Sequence, residues 1–252
     1  MDETAREGKY IYCIIATEIQ KTFGLMGIGS RGDELYTVCF KDIAAVVSNC
    51  TIKKYSVSRE NMLAHERAIE IVMNDHTVLP VRFATIAEDD KKVNSILEKE
   101  YDKFKKLLEK MSEKKELGLK AILKEDVIYK VILNKYKDIK NLKEQLDGVP
   151  TEKTYFQRMK IGEMVENALQ KEKGYFKKDI LDTLSQLVVE VKNNDSYYEK
   201  IIVNAALLVE KHKEAQFYEK VNILETKYSS IMKFKYIDMV PPFNFVNLVI
   251  NI

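Results

Sequence analysis

Residues 10–16 read Tyr-Ile-Tyr-Cys-Ile-Ile-Ala, a run of aromatic, β-branched and other apolar side chains. A strand-forming run without polar alternation is typical of a strand that is covered on both faces. Two further apolar runs, at 35–40 and 43–48, are close enough in sequence to pair as a hairpin. We therefore predict that the fold begins with a β-sheet, to which the other elements are added.

Helical periodicity follows these strands twice. Ser58 is placed to cap a helix over about 59–75, whose apolar residues recur on one face. Thr85 and Glu88 have the spacing of a capping box, which predicts a second helix over about 86–112.

Between the two helices, residues 78–83 read Val-Leu-Pro-Val-Arg-Phe. Pro80 has no N–H to donate to a β-ladder, so this apolar run is predicted to lie at a sheet edge or a bend. Near the other end of the chain, residues 241–245 read Pro-Pro-Phe-Asn-Phe, a rigid extended segment with two aromatic residues. These two segments stand out from an otherwise ordinary pattern.

The second half again alternates strands and helices. The apolar runs and helical stripes predict five elements: strands at 117–123, 201–209 and 232–238, and helices at 125–146 and 212–228. Residues 152–192 keep a helical pattern for about forty residues, which predicts either one long helix or a helical hairpin broken near Gly174. The fold class is therefore α+β with two domains: an N-terminal α+β sandwich over 1–114 and a C-terminal domain over 115–252.

Composition excludes several classes of protein. The 252 residues carry 41 Lys+Arg and 39 Asp+Glu, a net charge of +2, so a nucleic-acid or anionic-membrane partner is not expected. The three cysteines form no CxxC pair and are expected to be buried thiols in a reducing compartment. The opening residues lack the apolar stretch of a signal peptide, and no apolar run is long enough to span a membrane. A cytoplasmic protein without bound cofactor or metal is expected.

Two motifs of enzymes occur in the wrong context. Gly27–Gly32 spells GxGxxG, but a nucleotide-binding loop leaves a strand directly and opens a helix, whereas another strand follows here. His65-Glu66 begins an HExxH zinc motif, yet Ile69 stands where the second histidine is required. We therefore do not expect an enzyme; the alternative is an enzyme of unknown reaction that binds phosphate with the loop Gly27–Gly32.

Taken in order, several stretches resemble the gas vesicle protein F/L family from about residue 9 to 248. They comprise 10–14, 32–38, 43–48, 65–67, 78–83, 155–160, 204–209 and 241–245, of which 78–83 is the most specific. The chain departs from the family pattern at Ala84, where glycine is usual. It departs again at 237–245, where the usual tryptophan and tyrosine are missing.

The resemblance implies a cytoplasmic accessory protein of gas vesicle formation, whose C-terminal domain is a modified ferredoxin-like fold with inserted long helices. It also implies partners: the small, very hydrophobic shell protein, whose nucleation or assembly such proteins assist, and other accessory proteins. Some members remain in the vesicle as minor components, and a purely structural shell role stays open. As contact residues we predict the two unusual segments, namely Leu79, Pro80, Arg82, Phe83, Pro241, Pro242 and Phe243, with a contribution from the helix at 152–192.

Overall fold

The computed structural model of the protein describes residues 6–195 and 200–250. It divides into two compact units. The first comprises the chain up to Glu116 together with the segment from Asp238 onward, and the second comprises Leu117–Ile237. The last segment, which the sequence assigned to a domain over 115–252, is thus grouped with the first unit. The domain boundaries proposed from the sequence stay a prediction.

The first unit is built on one antiparallel sheet. Its strands are β1 (Glu7–Ala16), β2 (Thr22–Leu25), β3 (Glu34–Phe40), β4 (Ile43–Thr51), β5 (Val78–Pro80) and β6 (Ile86–Ala87). They run in the order β2-β3-β4-β1-β5, and β6 also pairs with β1. The side chains from Tyr10 to Ile15 are fully or almost fully buried, which confirms the predicted central strand. The predicted hairpin is the antiparallel pair β3–β4.

Three helices complete this unit: α1 (Arg59–Met73), α2 (Asp90–Lys99) and α3 (Tyr101–Met111). The Ser58 side chain accepts a hydrogen bond from the backbone N–H of Asn61, as predicted for the cap of α1. The predicted capping box at Thr85 is wrong. Ile86 and Ala87 pair instead with β1, and α2 is capped by the side chain of Asp89, which accepts a hydrogen bond from the backbone N–H of Lys92.

The second unit contains a four-stranded sheet with helices inserted between its strands. In chain order its elements are β7 (Lys114–Leu123), α4 (Glu125–Lys135), α5 (Lys137–Leu146), α6 (Tyr155–Leu184), β8 (Val188–Asn193), β9 (Ile201–Glu210), α7 (Glu214–Tyr228) and β10 (Met232–Val240). The strand order is β10-β7-β9-β8. The coarse α+β prediction is confirmed, because both units combine an antiparallel sheet with helices.

The helical stretch between β7 and β8 differs from its prediction in two ways. The helix predicted over 125–146 is interrupted at Tyr136, which leaves α4 and α5. Within the stretch 152–192, α6 is one continuous helix of 30 residues, about 45 Å long. The end of the stretch belongs to the strand β8 and not to a helix. Gly174 does not break α6, because the buried residues on either side, including Leu169 and Phe176, hold it against the core.

Candidate interaction surfaces

The two unusual segments of the sequence lie together in the first unit. Residues 241–248, here called the strap, follow the end of β10 and lie beside the chain that leaves β5. Val81 and Leu248 form a parallel β-bridge, and the guanidinium of Arg82 donates a hydrogen bond to Asn247 Oδ1 at 3.0 Å. The sequence predicted both segments as contact residues but gave no sign that they touch each other.

The imidazole of His65 lies at the centre of this arrangement. Its Nε2 is 3.1 Å from the carbonyl oxygen of Val81, which can only accept, so Nε2 carries the proton. Its Nδ1 is 3.2 Å from the hydroxyl of Tyr10, which in turn accepts a hydrogen bond from the backbone N–H of Ala84 at 2.8 Å. Burial lowers the pKa of His65 to about 4, so the ring is neutral at pH 7.

Aromatic rings surround this histidine. The ring of Tyr12 stacks on it, Phe83 meets it edge-on, and Phe243 of the strap lies 6.1 Å away between ring centroids. His65 is therefore a packed, hydrogen-bonded core residue and one that orients the loop after β5. The sequence does not predict a zinc site at His65, since Ile69 stands where the motif requires a second histidine.

The loop after β5 has an unusual backbone conformation at Ala84.

 Ala84 has a φ of +62°, in the left-handed region that residues with a Cβ adopt at a cost. Glycine reaches this region without strain, which accounts for the glycine that the resemblance leads one to expect at this position. Here the hydrogen bond from the Ala84 N–H to Tyr10 holds the loop in place despite the strain.

A buried carboxylate anchors the strap at a second point. The two oxygens of Glu116 accept hydrogen bonds from the backbone N–H of Asn244 at 3.1 Å and from its side-chain amide at 2.6 Å. Burial raises the pKa of Glu116, while the two bonds from Asn244 favour its charged form. Together with the Arg82–Asn247 bond, these contacts fix the strap by polar groups at two points.

The seven predicted contact residues differ in how far they reach the surface. Leu79, Pro80, Pro241 and Pro242 are buried, Phe83 is half-buried, and Arg82 and Phe243 are exposed. The edge position predicted from Pro80 is confirmed, because β5 ends the strand order of its sheet. Beyond β5, however, that edge carries the strap at Val81.

A second surface lies in the second unit, at the start of α6. Tyr155, Phe156 and Met159, here called the apolar patch, are exposed by 59%, 80% and 56%. The rings of Tyr155 and Phe156 meet edge-on with their centroids 5.6 Å apart. Apolar side chains grouped at this exposure are uncommon unless they mark a contact surface.

The start of α6 is held in place by Arg158. Its Nε donates to the hydroxyl of Thr154, and its guanidinium also donates to the carbonyl oxygens of Leu146 and Val149, each at 3.2 Å. These bonds connect the end of α5 to the first turn of α6. The apolar patch is therefore presented on an anchored helix end.

The sequence predicted a contribution from the whole helix at 152–192 but did not single out these three residues. A signal was present, since each residue advances a helix by about 100°. By this spacing Tyr155, Phe156 and Met159 fall away from the stripe of Ile161 and Val165 that packs against the core. Apolar residues off the buried stripe were the available clue.

Three backbone N–H groups at the start of the glycine loop are already bonded within the chain. The backbone N–H groups of Met26 and Gly27 donate to the carbonyl of Asp33, and that of Ile28 donates to the hydroxyl of Tyr12. The Ile28 side chain is fully buried. A phosphate cradle requires N–H groups that point outward, so this geometry disfavours the alternative function.

Two features are absent from residues 6–195 and 200–250, which the structure describes. Within them, no three or more His, Cys, Asp or Glu side chains are grouped so as to hold a metal ion. Within the same ranges, no helix is both long and apolar enough to cross a membrane.

Comparison with known proteins gives consistent matches along the chain. A model of the family described as gas vesicle synthesis protein GvpL/GvpF matches residues 8–247. Gas vesicle protein F of Nostoc sp. (strain PCC 7120) is 24% identical over 244 residues, covering 96% of this chain and 98% of that protein.

Two solved structures share the fold. The crystal structure of the gas vesicle protein GvpF from Anabaena sp. PCC7120 aligns with a TM-score of 0.83 at 23% identity, and that of GvpF from Microcystis aeruginosa with 0.75 at 22%. Each alignment covers 96% of this chain and 99% of the other.

Proposed function

Because the chain belongs to the gas vesicle synthesis protein GvpL/GvpF family, we propose that it is a non-catalytic accessory protein that assists gas vesicle assembly. It binds the hydrophobic shell protein, together with other accessory proteins, at the forming vesicle in the cytoplasm. The observation that carries this proposal is the family match over residues 8–247, which spans nearly the whole chain.

The proposal includes the fold of the second unit. We infer a ferredoxin-like domain modified by the insertion of α4, α5 and the long helix α6. The strand order β10-β7-β9-β8, with helices after the first and third strands in the chain, supports this assignment. The first unit is then a separate α+β domain.

The apolar patch at the start of α6 is our candidate for binding the shell protein. Exposed aromatic residues on an anchored helix lose little conformational entropy on binding and bury much apolar area. The surrounding residues, such as Lys153, Lys160 and Glu163, are exposed and charged, so the patch has a polar rim. Such a surface suits a partner that is itself apolar.

Phe243 of the strap, together with the exposed Arg82 and the half-buried Phe83 beside it, forms the second candidate surface. They combine one cation with two aromatic rings, a composition that is enriched at protein interfaces. The buried members of the predicted set, Leu79, Pro80, Pro241 and Pro242, contribute by holding these side chains in position.

Co-purification tests the proposal. The tagged chain is expressed with the shell protein, once as the wild type and once with Tyr155→Ala, Phe156→Ala and Met159→Ala combined. We expect the wild type to retain the shell protein and the triple variant to retain at least about tenfold less, a loss of ~1.4 kcal/mol. Failure of the wild type to retain any shell protein would refute the proposal.

Nucleotide binding tests the alternative function, an enzyme that binds phosphate with the loop Gly27–Gly32. A ligand at about 100 times its Kd adds ~2.7 kcal/mol of stability, which a thermal shift readily detects. We expect no shift with any nucleotide, because the N–H groups of Gly27 and Ile28 are already bonded within the chain. A clear shift that is lost on Gly29→Ala would favour the alternative function.

A further inference from the structure

The sheet of the second unit ends at the edge strand β8. This strand closes the order β10-β7-β9-β8, and among residues 6–195 and 200–250 no strand pairs with its outer side. The side chains of Val189 and Val191 in this strand are exposed. A sheet edge offers backbone donors and acceptors to a further strand, so the outer side of β8 is a candidate surface for association.

The hydrogen bonds between β8 and β9 show which backbone groups of β8 point outward. The N–H of Asn194 donates to the carbonyl oxygen of Asn204 at 2.8 Å. This pair continues the register in which Lys192 lies opposite Ala206. In an antiparallel ladder, residues bonded to the neighbouring strand alternate with residues whose N–H and C=O point away from it. Lys192 is therefore bonded to β9, and the N–H and C=O of Val191 point to the open side.

Two opposite charges stand on either side of Val191. Glu190 and Lys192 project from the same face of the strand, with Lys192 Nζ 3.5 Å from Glu190 Oε1. A bulge and a lysine are devices by which proteins prevent an edge from pairing. The register shift here lies between Val188 and Glu190, so the stretch from Val191 onward is regular. The lysine repels a partner strand only where that strand places a cation opposite it.

We propose that β8 pairs antiparallel with β8 of a second copy of this chain, about a two-fold axis at Val191. In this register the outward N–H of each Val191 donates to the carbonyl oxygen of the other. Glu190 of each copy lies opposite Lys192 of the other, so both cross-strand pairs join opposite charges. The strand is thus its own complement, and this is why the occupant is a second copy.

The same charges disfavour the neighbouring registers. Sliding one strand by two residues keeps the outward backbone groups in bonding positions, because side chains and backbone groups alternate with a period of two. One slide places Glu190 opposite Glu190, and the other places Lys192 opposite Lys192. Like charges directly opposite each other are destabilising, so the charge pattern selects the register about Val191.

Charge variants of the full chain test this pairing by sedimentation equilibrium. One strand pair buries less than the ~1,200 Å² of a stable interface, so we expect a weak dimer with a Kd on the order of 100 μM. Glu190→Lys and Lys192→Glu each turn both cross-strand pairs into like-charge pairs, and each should weaken self-association at least about fivefold. An equimolar mixture of the two variants should restore association, because the lysines of one copy then meet the glutamates of the other. Glu219→Lys, at an exposed position on α7, controls for net charge.

A cross-link tests the register without changing the charges. Val191→Cys places two thiols opposite each other with their Cα atoms about 5.5 Å apart, a separation that a disulfide spans. In Asn193→Cys, the matched control, the two positions are four residues apart along the paired strands, more than ~10 Å. We expect a covalent dimer of Val191→Cys under mild oxidation by copper–phenanthroline. Neither Asn193→Cys nor the wild type, with its three native cysteines, should give one.

Two results would overturn the inference. The first is a wild-type chain that stays monomeric up to ~1 mM, ten times the expected Kd. The second is a dimer that neither charge variant weakens, or in which Val191→Cys fails to cross-link, because another surface would then join the copies. These experiments use the purified chain alone, so the proposed function stands or falls separately.

Discussion

The strap region and the apolar patch use similar side chains in opposite ways. Around His65, the rings of Tyr10, Tyr12 and Phe83 pack against one another, and His65 lies beside Phe243 of the strap of the same chain. At the start of α6, Tyr155 and Phe156 pack against each other and remain largely exposed. The first group is covered by its own chain, and the second is open to a partner.

The buried region is expected to contribute to stability, and the exposed patch to partner recognition. Apolar side chains that are buried in the folded chain contribute free energy of folding, and their truncation leaves a cavity. Apolar side chains that stay exposed contribute little to folding and become useful when a partner buries them. We therefore expect substitutions in the first region to change stability, and substitutions in the second to change binding.

The largest effect is expected for Leu79→Ala in β5. The Leu79 side chain is fully buried, so its truncation should lower the free energy of unfolding by ~3 kcal/mol. Phe156→Ala, at an exposed position, should change it by no more than ~0.5 kcal/mol. Urea unfolding measures both. Equal losses in the two variants would remove the contrast between the regions.

Acid should weaken the strap region through His65. The pKa of this group is about 4 in the folded chain and about 6.5 when unfolded, so between these values the unfolded state binds more protons. The free energy of unfolding is therefore unaffected by His65 above pH 6.5, and it decreases by up to ~3 kcal/mol as the pH drops towards 4.

His65→Gln should flatten this part of the pH dependence, because glutamine is neutral throughout. Urea midpoints between pH 4 and 7 check this, with His212→Gln at an exposed site as the control. A wild type and a His65→Gln variant with parallel pH profiles would show that the buried imidazole is not the cause.

Substitutions in the apolar patch should change binding and leave stability unchanged. Tyr155→Ala alone should weaken binding of the shell protein by roughly fivefold, ~1 kcal/mol, and leave the urea midpoint unchanged. Tyr218→Ala, at an aromatic residue of α7 with similar exposure, controls for a general loss of surface aromatics. A loss of binding in both variants would mean that the patch is not specific.

The smallest effect concerns Ala84. Replacing it with glycine removes the strain of a left-handed backbone but adds entropy to the unfolded chain. We expect Ala84→Gly to raise the free energy of unfolding by ~0.5 kcal/mol. A decrease would indicate that the Cβ of Ala84 makes a favourable contact that outweighs the strain.

Much of the sheet and helix pattern could be predicted from the sequence. The run at 10–16 predicted the central strand because both of its faces are buried, and Pro80 predicted the sheet edge because it lacks an N–H. The capping-box prediction at Thr85 failed because tertiary pairing of Ile86 and Ala87 with β1 outweighs local helix signals.

The candidate surfaces were harder to predict from the sequence. The pairing of Val81 with Leu248 joins residues that are far apart in the chain, and no local pattern encodes such a contact. The helix at 152–192 was predicted to contribute, but its three patch residues were not singled out, because helical periodicity identifies the buried stripe of α6 and not the apolar residues outside it. The resemblance in short ordered segments supplied the family, which composition and periodicity did not.

Restoration of vesicles in a deletion strain tests the central claim most directly. A gas-vesicle-forming host that lacks this family member receives either the wild-type chain or the variant with Tyr155→Ala, Phe156→Ala and Met159→Ala, at matched protein levels. Electron microscopy then counts the vesicles. The account predicts normal numbers with the wild type and at least about tenfold fewer with the stable, folded variant. Equal numbers with both chains, or full vesicle formation without either, would contradict it.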